Sequence, residues 1–167
     1  MPCACQTPLP DYPTTDTWGP LMWTLFHALS EKAGSTTDMF LEDEKQRWMF
    51  LLSNFATIIP CKECKAHAQG WVSAHPVLEF KTLAPGDRKD WLRAYFYTFH
   101  EGVNKELEHP SFDFALLETT YKSIDIRNYL MRLKPVVELA IRLDGVPILG
   151  WRNWYANLIR LLALYGI

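Results

Sequence analysis

The chain has 167 residues, a formal net charge of −2, 49% hydrophobic residues and 22% charged residues. Those values fit one globular domain with at most a small appendage and exclude wholesale disorder. Near-zero charge argues against nucleic acid as the main partner. Residues 1–15 hold four Pro and few large apolar groups, so they read as a flexible arm. The arm has neither a basic start nor an apolar stretch, so no signal peptide is read there. No apolar run approaches the roughly eighteen residues of a membrane span. Thr17 is placed to cap a helix from Trp18 to about Lys32, with Trp18, Met22, Leu25 and Leu29 at helical spacing and Gly34 as its stop. A second helix is expected from about Leu41 to Ile58, and Pro60 breaks it and opens a third over roughly Cys61–Ala74. His75-Pro76 ends that helix, because the residue before proline avoids helical geometry. After a turn at Pro85-Gly86-Asp87, a fourth helix runs from about Arg88 to Leu107, and a short one lies near Phe114–Lys122. Residues 125–142 and 148–165 give two further amphipathic stretches. No set of short alternating runs indicates a sheet. The expected fold is all-α: a four-helix bundle with a short fifth helix, and a C-terminal helical extension. The boundaries fall at 1–15 for the arm with Cys3 and Cys5, 16–123 for the bundle and 124–167 for the extension.

Aromatic residues are dense at 14%, which points to a tight core or to a pocket for something flat. The four cysteines form two close pairs, Cys3/Cys5 and Cys61/Cys64. That is too few for a secreted disulfide framework, and the close pairing points to redox or metal chemistry. In Pro60-Cys61-Lys62-Glu63-Cys64 the cysteines stand at a helix start, where the helix N-terminus, Lys62 and Lys65 favour a thiolate suited to dithiol–disulfide exchange. A thioredoxin-type reading fails, because the preceding segment is helical rather than a buried strand. The same pair could serve zinc with His67, and with His75 further on. Trp23 and His27 share one face of the first helix at i and i+4, and His100 and Asn104 share one face of the fourth. A tryptophan and two histidines around one cavity, beside a cysteine pair, can hold a flat heterocycle by stacking.

The segments WGPLMWTLFH, IIPCKEC and HEGVNKELEHPSFD, in this order along residues 18–122, resemble the Erv/ALR family of FAD-linked sulfhydryl oxidases. The resemblance implies a bundle that cradles FAD at one end and usually dimerises through its first two helices. It makes Cys61–Cys64 the redox disulfide, with Cys61 meeting substrate and Cys64 nearer the flavin. It assigns cofactor contacts to Gly19, Pro20, Trp23, His27, His100, Val103, Asn104, Lys105 and Tyr121. Electrons would pass from protein dithiols, directly or through a thioredoxin-like intermediary, through Cys61–Cys64 to FAD and then to O2, giving H2O2. Glu101 replaces the family's first asparagine of HNxVN, and His109 replaces the lysine before the following proline. Tyr97 and Phe114 stand where the family has a second disulfide, and an aromatic contact is expected in its place. The lost bridge, the extension and the missing leader are similar to the enzymes of large DNA viruses, which implies a cytoplasmic location, in host cytoplasm or virion. Cys3-Ala-Cys5 has two readings, a dithiol shuttle to Cys61 or incidental thiols. The bundle reading competes with a small zinc-binding helical module built on Cys61, Cys64 and His67.

Overall fold

The computed structural model describes residues 10–167. Among them every regular element is helical. The helices are α1 (Thr15–Ser30), α2 (Leu41–Asn54), α3 (Lys62–Ala74), α4 (Leu78–Thr82), α5 (Arg88–Glu106), α6 (Leu117–Tyr121), α7 (Ile126–Arg142) and α8 (Ile148–Leu164). The all-α architecture expected from the hydrophobic periodicity is present. The N-terminal boundary of α1 differs from expectation. The cap is Thr14 rather than Thr17, and the two hydroxyls lie 3.0 Å apart. Two threonines three residues apart are equally good caps by composition, and the chain uses the earlier one. Helix α1 ends at Ser30, and Gly34 closes the following turn with φ +74°, where a side chain would be strained. Short α4 has no sequence signal; it forms where Phe80 is driven fully into the core.

α1 buries Met22, Leu25, Phe26 and Leu29, α2 buries Trp48, Leu51 and Leu52, and α5 buries Leu92, Phe96 and Phe99. These stripes recur at three- and four-residue intervals, as a core-facing helix requires. α7 packs along α1 and α8 packs along α2. Trp154 of α8 stands edge-on to Phe26 at 6.2 Å, and its Nε1 donates to the Leu51 carbonyl at 3.3 Å. The extension therefore belongs to the same hydrophobic core as the bundle.

A buried polar network fixes that packing. Arg88 Nη1 meets Glu44 Oε2 at 2.8 Å and also donates to the Leu41 carbonyl at 2.7 Å. The other Glu44 oxygen accepts from the Gly34 N–H and from the Tyr165 hydroxyl, both at 2.7 Å. Trp48 Nε1 in turn donates to Tyr165 Oη at 2.7 Å. Glu44 is fully buried and Arg88 is 3% exposed. Such a pair is tolerable because each charge has several hydrogen-bond partners.

No described helix is long and apolar enough to cross a membrane.

Candidate functional site

Ile59 and Pro60 carry the chain from the 3-10 turn Phe55–Ile58 into α3. Pro60 cannot continue a helix, so Cys61 becomes the N-cap of α3, and its Sγ accepts the Cys64 N–H at 3.1 Å. Cys61 and Cys64 are disulfide-bonded, with Cα atoms 5.2 Å apart. Both are half-buried. The positive end of the α3 dipole and the Cys64 N–H favour negative charge on Cys61 once the bond opens. The Lys65 ammonium donates to the Gly145 carbonyl at 3.0 Å.

The expected face-sharing pairs converge. Trp23 stacks on His100 at 4.1 Å with ring planes 8° apart. His27 Nε2 lies 3.1 Å from His100 Nδ1, and Tyr121 stacks on His27 at 4.8 Å. The Nε2–Nδ1 contact requires one nitrogen to carry a proton and the other a lone pair. Burial, with neighbouring His100 reinforcing it, pushes His27 down to about 3. Burial likewise pushes His100 down to about 4, with Glu101 opposing and His109 reinforcing the shift. Both rings are therefore neutral at pH 7.

Phe99 ties this stack to the redox helix. Its ring lies 5.2 Å from Trp23, 5.1 Å from Trp71 and 5.7 Å from His67. Phe99 thus joins the aromatic stack to the helix that the disulfide opens.

Beyond the stack lies a cleft of about 410 Å³, lined by Glu101, Gly102, Asn104, Lys105, His109 and Ser111. Asn104, Lys105 and Glu101 reach it from the last turns of α5. Val103, between them, is half-buried against the core. Glu101 is spent structurally. Its Oε1 accepts from Asn104 Nδ2 at 2.9 Å and from the Phe112 N–H at 3.1 Å, and its Oε2 accepts from the Ser111 hydroxyl. These donors hold its carboxyl below the usual range against the opposing pull of burial. Gly19 and Pro20 lie in the first half of α1, and a Cβ on Gly19 would meet no atom within 4 Å.

Tyr97 and Phe114 meet edge-to-face at 5.0 Å, as expected. Tyr97 Oη also donates to the Phe112 carbonyl at 2.8 Å. The zinc grouping does not assemble. The two sulfurs are bonded to each other, His67 Nδ1 faces Glu106 at 3.6 Å, and His75 stacks on Trp71 at 3.6 Å. Among the described residues no group of three or more His, Cys, Asp or Glu is placed to hold a metal. Cys3 and Cys5 lie outside the described residues. Phe99 was missed by the sequence reading as a site residue, and Glu101 was noted only as a departure from HNxVN. Phe99 has the spacing of any core residue, and the hold of Glu101 on the following loop shows through contacts ten and eleven residues away.

The model of the Erv1/Alr family matches residues 20–122. The FAD-linked sulfhydryl oxidase of African swine fever virus is 24% identical over 105 residues, spanning 63% of this chain and 80% of the viral protein. No solved structure matches the chain.

Proposed function

This chain belongs to the Erv1/Alr family, and we propose that it is an FAD-dependent thiol oxidase that forms disulfides in protein substrates. The observations that carry the reading are the half-buried Cys61–Cys64 disulfide at the start of α3 and the neutral stack of Trp23, His100, His27 and Tyr121, which Phe99 joins to α3 through Trp71 and His67. The residues suit FAD. Flat neutral rings offer stacking for its heterocycles. Lys105 and His109, in the adjoining cleft, are the groups available to its phosphates. Glu101 lines the same cleft as a carboxylate, but its oxygens are turned to three donors of the chain. Gly19, Pro20, Val103 and Asn104 complete the proposed contacts.

Thiol–disulfide chemistry assigns the cysteines. A substrate thiolate attacks Cys61 Sγ, forms a mixed disulfide and releases the Cys64 thiolate. The second substrate thiolate then attacks the substrate sulfur of that bond. Oxidised substrate departs, and Cys61 leaves as a thiolate stabilised by the start of α3 and the Cys64 N–H. Bound FAD supplies the two-electron acceptor that reoxidises the pair and passes the electrons to O2, giving H2O2.

Protein dithiols, presented directly or by a thioredoxin-like carrier, are the proposed donors. Cys3 and Cys5 are a proposed relay in the arm. Deleting residues 1–10 then slows oxidation of a protein substrate more than oxidation of dithiothreitol, and equal slowing removes the relay. The α1 and α2 flanks carry α7 and α8 of the same chain. We therefore place any homodimer contact on another face.

The deciding experiment is the visible spectrum of the purified protein, before and after dithiothreitol is added under air. A flavin spectrum that bleaches and then recovers, with oxygen consumed, supports the reading. A protein that stays colourless after reconstitution with FAD overturns it.

A further inference from the structure

The turn between α7 and α8 lies outside the family-matched span of 20–122, yet it reaches the redox disulfide. Lys65, next to Cys64, donates to the Gly145 carbonyl at 3.0 Å. The Tyr12 hydroxyl donates to the carbonyl of Pro60, next to Cys61. The Tyr12 hydroxyl also sits so close to Gly145 that a Cβ there would overlap it. At the start of α8, a Cβ on Gly150 would lie 3.5 Å from the Thr57 hydroxyl, three residues before Pro60. The segment between Gly145 and Gly150 is thus held at its Gly145 end against the residues flanking the disulfide, and its Gly150 end passes close to Thr57.

That segment is Val146-Pro147-Ile148-Leu149. Val146 is buried, whereas Ile148 is 57% exposed and Leu149 67% exposed. Pro147 is exposed too, and the Tyr12 ring adds a further partly exposed apolar face. Other exposed apolar side chains exist, such as Met39 and Met131. What sets this run apart is that Lys65 and Tyr12 hold its Gly145 end at the redox loop. The exposed neighbours of the disulfide, Lys62 and Glu63, have opposite signs, and the Lys65 ammonium is turned to the Gly145 carbonyl.

We propose that Tyr12, Pro147, Ile148 and Leu149 form the substrate-docking surface of the oxidase. Its occupant is a polypeptide whose reactive cysteine pair is flanked by apolar side chains. The proposal rests on the thiol-oxidase reading above. A substrate sulfur at Cys61 leaves the residues on either side of it within about 10 Å, the reach of three extended residues. Covering one Ile or Leu in that range gives roughly ten-fold or more in affinity. Ile148 and Leu149 are therefore specificity-determining residues that touch the substrate away from its reacting atoms.

The test uses the full FAD-loaded chain and three donors: dithiothreitol and two synthetic peptides with the same Cys-x-x-Cys centre. One peptide has Leu and Val flanks and the other Ser and Gly flanks. Wild type should favour the apolar peptide about ten-fold in kcat/KM, through KM. In Ile148→Ser/Leu149→Ser the preference should fall to within two-fold, with the visible spectrum and dithiothreitol turnover unchanged. A preference that persists in the variant overturns the proposal. So does an equal loss with dithiothreitol, which would mark a structural role. Failure of the underlying reading looks different: wild type then consumes no oxygen even with dithiothreitol.

Discussion

The two ends of this bundle handle buried polar groups in opposite ways. Around Glu44, Arg88 and Tyr165 the groups are charged or strongly polar, Glu44 and Arg88 are nearly inaccessible, and each of the three has at least two partners. Around His27 and His100 the groups are neutral. They are satisfied largely by each other, and they lie under aromatic rings beside an opening cleft. The first arrangement closes a structure, because both Glu44 oxygens, the Tyr165 hydroxyl and Arg88 Nη1 are spent inside the chain. The second leaves faces and edges for something else to use. The difference separates what holds the C-terminal helices on the bundle from what the bundle is for.

The sharpest way to break the comparison is at the disulfide. Cys61→Ser and Cys64→Ser should each abolish dithiothreitol turnover, to less than about a thousandth of wild type, while the flavin absorbance stays. Each variant removes a sulfur that exchange requires. Stopped-flow bleaching and oxygen uptake measure it. Wild-type turnover in either variant would move the chemistry elsewhere.

At the closed end the expected loss is in stability, not in colour. Arg88→Ala leaves Glu44 charged and buried, and should cost about 3–5 kcal/mol. Tyr165→Phe removes the hydroxyl between Glu44 and Trp48, and should cost about 1–3 kcal/mol. Urea unfolding midpoints report both. Neither variant should move the flavin absorption maximum at 20 °C. A spectral shift would mean that the two ends are coupled.

The open end should announce itself by pH. Both imidazoles are held below the ordinary 6.5, at about 3 for His27 and about 4 for His100. As pH falls below 6.5, the unfolded chain takes up protons that the folded chain refuses. The stability tied to the neutral pair is thus present above pH 6.5 and is lost progressively toward pH 3–4. His27, only 3% exposed, contributes a slope of at most about 1.4 kcal/mol per pH unit. His27→Gln/His100→Gln should flatten unfolding free energy against pH between 6.5 and 4.5. An unchanged slope would show that the pair titrates normally. Carboxylates elsewhere leave their own slope at lower pH in both proteins.

The open end was much more legible in the sequence than the closed one, for a physical reason. Trp23 and His27 stand four residues apart on one helix, and so do His100 and Asn104. Local spacing alone places each pair on a common face. Cys61 and Cys64 advertise themselves by type and by the proline before them. Glu44, Arg88 and Tyr165 carry no such mark, because their contacts join residues 44 and 121 positions apart. A glutamate in the first turn of a helix reads as an ordinary dipole partner on a solvated face. Only the folded chain shows that Glu44 is fully buried. The contact of Tyr12 with Gly145 and Pro60 is equally silent in sequence, since it depends on where a turn and an arm happen to meet.

The smallest expected effect tests whether an aromatic contact does the work of a missing covalent bridge. Tyr97 and Phe114 hold the segment after α5 against that helix by an edge-to-face contact and by the Tyr97 hydroxyl on the Phe112 carbonyl. The hydrogen bond is worth about 0.5–1.5 kcal/mol, and the ring pair about the same beyond its buried area. Tyr97→Phe should therefore cost about 1 kcal/mol and Tyr97→Leu about twice that, by urea unfolding. Glu101 grips the same loop through Ser111 and Phe112. A double-mutant cycle between Tyr97→Leu and Glu101→Gln should consequently show coupling of about 0.5 kcal/mol or more. Strict additivity would mean that the two anchors act on separate parts of the loop, and that the aromatic pair braces α5 alone rather than the wall of the cleft.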